Sequence, residues 1–125
     1  MTITVGGTNI TLNSGSVLQD PPGSAPSYLC RAWVNFNGTG TVAIRASGNV
    51  SSITDNGTGD YTANFTTAMS DANYAESISA GNSAGLFSGY YPAFTKTSSA
   101  LRLRTASIGS QSLTDLEWIS VLIFR

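Results

Sequence analysis

The chain has 125 residues, with six Lys or Arg, seven Asp or Glu and no His, for a net charge of −1. Only 10% of its residues are charged, well below the usual quarter or so. The six basic residues (Arg31, Arg45, Lys96, Arg102, Arg104, Arg125) are spread along the chain. That argues against a nucleic-acid partner, which is held by clustered Lys and Arg.

In chain order, TITV, GG and TNITLN over residues 1–13 read as two short alternating strands about a Gly-Gly turn. SGSVLQDPPGSAPS, residues 14–27, is a Pro/Gly-rich connector, because residues preceding Pro are pushed towards extended backbone. Residues 1–27 thus form an arm with little core of its own, and a neighbouring subunit is one surface for it to lie on. Residues 28–125 form the main domain.

From Tyr28 to Phe36 the pattern alternates. Tyr28, Cys30, Ala32, Val34 and Phe36 are the expected core face; Leu29, Arg31, Trp33 and Asn35 share the other. Asn37-Gly38-Thr39-Gly40 signals a hairpin into Thr41–Ser47. A strand over Asn49–Thr54 precedes the turn Asp55-Asn56-Gly57-Thr58-Gly59. In Asp60–Thr67, Tyr61, Ala63 and Phe65 are expected inward and Asp60, Thr62, Asn64 and Thr66 outward. The 28–67 segment therefore reads as an antiparallel meander. Met69–Asn73 is a turn or helical corner, Tyr74–Ser79 a strand, and Ala80–Ser99 a long connection.

Two further strands are expected: Ala100–Ile108, with Leu101 and Leu103 opposed to Arg102 and Arg104, and Glu117–Phe124. The last is apolar on both faces, which suits a central strand or one pinned at a subunit interface. No helix pattern exceeds a turn or two. The expected fold class is all-β, an antiparallel β-sandwich-like domain.

Catalytic machinery is not apparent. Without His, no Ser–His or Cys–His nucleophile can be assembled, and a transition-metal site lacks its usual ligands; no cofactor is expected. Glycoside cleavage needs two carboxyl groups about the scissile bond. Asp55 and Asp60 flank one turn and fall about 5–10 Å apart, but Asp in a turn ordinarily bonds backbone N–H groups. Cys30, the single cysteine, reads as a buried, inert thiol, with an interchain bridge as the alternative. Five N-x-S/T triplets, at Asn9, Asn37, Asn49, Asn56 and Asn64, read as accidents of composition. The N-terminus has no basic and apolar leader pattern, and no apolar run approaches the roughly 18 residues that span a bilayer.

The local clue to binding is LFSGYYPAF, residues 86–94. Tyr offers a large amphipathic contact at low entropic cost, and sugar faces pack on such rings. The alternative is that Leu86, Phe87 and Phe94 plug one end of the core. Tyr90, Tyr91, Phe94 and Lys96 are the candidate receptor-binding residues.

The phrases RAWVNFNGTGT and ITDNGTGDYT, within the run Cys30–Thr62 that continues through NFTTAM to Tyr74, and the ending ISVLIFR, resemble the C-terminal receptor-binding domains of bacteriophage tail fibres. The likeness covers about half the chain; residues 1–27 and 75–116 match less clearly. It implies a β-structured homotrimeric fibre tip, part of a longer protein assembled in the host cytoplasm and carried on the virion. Its role would be host attachment through a bacterial surface polysaccharide or outer-membrane component, without enzymatic activity or membrane insertion. A capsule depolymerase with paired acids, or a structural trimerisation cap or virion decoration domain, are the alternatives. The resemblance names a role without naming a site.

Overall fold

A computed structural model describes residues 28–83 and 88–125. The expected arm at 1–27, and Leu86 and Phe87, lie outside the described residues. Within them the chain is all-β and has no helix. Its strands are β1 (Cys30–Asn37), β2 (Ala43–Gly48), β3 (Val50–Gly57), β4 (Asp60–Phe65), β5 (Ala75–Gly81), β6 (Ser88–Lys96), β7 (Ala100–Ser107) and β8 (Trp118–Phe124). They form two four-stranded antiparallel sheets, ordered β2-β1-β8-β5 and β3-β4-β7-β6, packed face to face.

The core follows from the period of two. Ala32, Val34 and Phe36 of β1, Tyr61, Ala63 and Phe65 of β4, Leu101 and Leu103 of β7, and Ile119, Val121 and Ile123 of β8 all point between the sheets. The aromatic rings meet edge to face: Phe36 on Tyr61 at 5.3 Å and Phe65 on Tyr74 at 5.7 Å between centroids. Such pairs add to plain burial because ring edges and faces carry opposite partial charge.

The 28–67 segment is not one meander. Its two hairpins, β1–β2 and β3–β4, lie in different sheets. The chain changes sheet at Asn49, which has φ 57°, a conformation Asn tolerates better than most residues. The Asn49 Nδ2 donates to the carbonyls of Arg31 (3.1 Å) and Thr67 (3.0 Å), while its Oδ1 accepts from the Thr67 N–H at 2.7 Å. One side chain thus ties the corner to the start of β1 and the end of β4.

The Ala80–Ser99 connection also differs from expectation: it begins in the last residues of β5, and Ser88–Lys96 is the strand β6. This is an edge strand, and its pairing with β7 shifts register between Tyr91 and Thr95. Pro92 falls inside that irregularity, where the missing N–H removes no ladder bond from a central strand. At Met69–Asn73 the chain makes a turn. Asp71 Oδ1 accepts the Asn73 N–H at 2.7 Å, and Asp71 pairs with Arg125 at 2.5 Å.

β8 is central, paired with both β1 and β5. Only one of its faces is buried: Trp118, Leu122 and Phe124 remain 44%, 42% and 37% exposed. Cys30 is exposed, not buried, because the register shift between Cys30 and Ala32 breaks the alternation before it reaches the end of β1. Tyr28, from the same expected core face, is exposed as well.

Candidate receptor-binding face

The outer face of the β3-β4-β7-β6 sheet carries a lattice of hydrogen-bonding side chains. Its register sets Ser52 opposite Asn64, Thr54 opposite Thr62, Asp60 opposite Arg104, and Thr62 opposite Arg102. Asn64 Nδ2 donates to Thr54 Oγ1 at 2.9 Å and Ser52 Oγ at 3.1 Å. Asn56 Nδ2 donates to Thr62 Oγ1 at 2.9 Å. Each amide is thereby tied by hydrogen bonds to side chains of the neighbouring strand.

At the end of this lattice sits an ion triad. Arg102 Nε and Nη2 donate to the two oxygens of Asp60 at 2.8 and 3.0 Å, a bidentate fork, and Arg104 Nε donates to Asp60 Oδ2 at 2.7 Å. Asp60 points outward, as its place in the alternation requires, yet is only 5% exposed because the two guanidinium groups cover it. The Arg102 bond, with that from Arg104, holds the Asp60 carboxyl below its ordinary 3.8 against the opposing effect of burial. Arg102 is raised in turn, chiefly by the same bond. Two cations against one anion give the triad a net positive charge.

The neighbouring acids serve the fold. Asp55 Oδ1 accepts the Gly57 N–H at 2.9 Å, an Asx turn. Asp115 Oδ1 accepts the Gly59 N–H at 2.7 Å and the Tyr61 hydroxyl at 2.6 Å. Burial, reinforced by Asp115, pushes the Tyr61 phenol well above its usual value. Among the described residues no three His, Cys, Asp or Glu gather closely enough to hold a metal ion, and no helix is long and apolar enough to cross a membrane.

The four residues chosen from sequence divide. Tyr90, Tyr91 and Phe94 are on β6, with Tyr90 at the register position of Thr105 and Tyr91 at that of Arg104; their side chains lie outside what the structure describes. Tyr91 is thus in line with the Asp60–Arg104 row. Lys96 is elsewhere. It is paired with Leu101, whose side chain is in the core, and Nζ forms an ion pair with Glu76 of the other sheet. That ammonium also donates to the Tyr74 carbonyl at 3.3 Å and lies 5.5 Å from the Tyr74 ring centroid. Lys96 therefore closes the edge of the sandwich between β5 and β6.

Sequence reasoning missed the Asn–Thr–Ser lattice and the triad. A signal was present: Thr62 and Asn64 on one strand, and Arg102 and Arg104 on another, recur at i, i+2 and must share a face. Which strands adjoin was not readable. No protein-family model, no curated protein and no solved structure matches the chain.

Proposed function

We propose that this chain is the receptor-binding tip domain of a bacteriophage tail fibre, a homotrimer carried on the virion that attaches to a bacterial surface polysaccharide. The observation that carries the reading is the outer face of the β3-β4-β7-β6 sheet. A polysaccharide presents a repeating, extended array of hydroxyl groups with few strong charges. The Asn56, Asn64, Thr54, Thr62 and Ser52 lattice presents an array of amides and hydroxyls tied by hydrogen bonds along the sheet. Fixing such groups in advance lowers the ordering cost of binding. Arg102 and Arg104 add a cationic end to the face, and β6 brings Tyr91 into the same row. The likeness of Cys30–Thr62 to tail-fibre tips supports the role.

Binding without cleavage is part of the proposal, since Asp55 serves a turn and Asp60 is neutralised by two arginines. Three weak contacts on one tip gain avidity at a dense receptor. The test is fluorescently labelled protein applied to a panel of bacteria of different capsule types. Staining of some types, with competition against phage adsorption on those types, is expected. Absence of staining across the panel contradicts the proposal, and release of reducing ends from a capsule would reassign the chain as a depolymerase.

A further inference from the structure

We propose that the outer face of the β2-β1-β8-β5 sheet is the surface through which copies of this chain associate. Four large apolar side chains stand on this face, mostly along β8, where a lone domain would place polar ones. Trp33 of β1 lies opposite Leu122 of β8, and Trp118, Leu122 and Phe124 run along β8. All four side chains are between 37% and 44% exposed. Large contiguous apolar exposure of this kind marks interaction surfaces, whereas scattered single residues do not.

Three observations favour a second copy as the occupant. First, the outward positions of β8 and β5 carry no charge: Trp118, Ser120, Leu122 and Phe124 on one, Ala75, Ser77, Ser79 and Gly81 on the other. A charged partner would lose hydration over these two strands and meet no opposite charge, while the β8–β5 half of the face in another copy is equally neutral; the exposed Arg31 and Arg45 belong to β1 and β2, at the other side of the sheet. Second, the polar pair in the middle of the face is tied internally, with Asn35 Nδ2 donating to Ser120 Oγ at 2.8 Å. That bond reduces the desolvation cost of covering the pair. Third, the relief is self-complementary. The bulky column of β8 stands beside the small residues of β5, to which the register pairs it one for one. The ridge of one copy therefore fits the shelf of the next.

Four strands about 4.8 Å apart, and seven residues at about 3.4 Å each, give a face of roughly 400 Å². Two such faces together cover about half of the roughly 1,600 Å² typical of a stable interface. Association through this face alone is accordingly concentration-dependent. The number of copies, three, rests on the fibre-tip reading; the face itself does not.

Sedimentation velocity on the whole chain, from micromolar to near-millimolar concentration, tests the proposal. The wild-type mass should rise at least twofold above the 13.0 kDa of one chain. Leu122→Lys and Ser77→Arg should each hold the mass at one chain with unchanged circular dichroism. Ser77→Arg removes no apolar side chain, so it serves even if Leu122→Lys fails to fold. Ser52→Arg, on the opposite sheet, should assemble like wild type. Loss of glycan binding by that variant with assembly intact separates the receptor reading from this one. A wild-type chain that stays monomeric throughout, or folded variants that assemble as wild type does, would overturn the proposal. So would monomeric protein that binds neutral phosphatidylcholine vesicles through Leu122.

Discussion

Asn49 shows how much one side chain can hold. It has a left-handed backbone and three hydrogen bonds to two other segments. Asn49→Ala loses the bonds and strains the backbone, and should cost about 2–4 kcal/mol in urea denaturation. Asn49→Gly keeps the backbone free and should cost about 1 kcal/mol less. Equal losses for the two would show that the left-handed geometry carries no strain. The N-x-S/T triplets gain a physical reading at the same scale. Asn37, Asn49, Asn56 and Asn64 all use their side chains in turns, corners or the lattice.

Asp60 gives the acid response. Its carboxyl is held below the ordinary 3.8 in the folded chain, so the folded state binds this proton more weakly than the unfolded state does. The stabilisation is complete above pH 3.8 and is lost as pH falls through the depressed folded value. Asp60→Asn should be less stable than wild type at neutral pH, and the gap should narrow as the wild type is acidified below that point. A gap that stays constant down to pH 2 or so would remove the triad from the account.

Among the elements, the β3–β4 hairpin depends on Gly59. It has φ 62°, and a Cβ there would fall 2.4 Å from the Thr105 carbonyl oxygen and 2.6 Å from the Thr114 nitrogen. Neither backbone atom can move without breaking the Thr105–Thr114 bonding that carries the chain towards β8. Gly59→Ala should therefore destabilise by more than the roughly 1 kcal/mol of a left-handed residue alone. β8 makes the complementary test of alternation. Ile119→Ala should cost about 2–5 kcal/mol, as for a filled core position, while Leu122→Thr should change stability by about 0.5 kcal/mol or less. Thermal melts of both, at concentrations too low for association, read this directly.

The strands with clean period-two patterns were legible in the sequence. β1, β4 and β7 show their core faces as Val34 and Phe36, Tyr61 and Ala63, and Leu101 and Leu103. β6 was not legible, since Pro92 and Gly89 interrupt it and an edge strand tolerates what a central one does not. The change of sheet at Asn49 was hidden for a different reason. A single left-handed residue redirects the chain without altering the alternation on either side. Pairing of β8 between β1 and β5 joins residues far apart in the chain, and no local pattern encodes that.

On the scale of the whole molecule the two sheets turn unlike faces outward. One is a polar lattice ending in the Asp60–Arg102–Arg104 triad; the other is an apolar stripe on β8 beside the small residues of β5. The long-range connectivity explains why this division escaped the sequence, where only the faces of single strands, such as that shared by Trp33 and Arg31, could be read. An assembly built on the apolar stripe leaves the lattice facing outward, where a surface polysaccharide can reach it.

The most direct measurement is binding of the intact chain to an array of bacterial surface polysaccharides, with Ser52→Arg and Leu122→Lys in parallel. Ser52→Arg sets a large cation into the lattice and should lower apparent affinity at least tenfold or so, about 1.4 kcal/mol, whereas Leu122→Lys should lose only the avidity gained from assembly. Retention of full affinity by Ser52→Arg, or no binding to any polysaccharide by the wild type, would contradict the account.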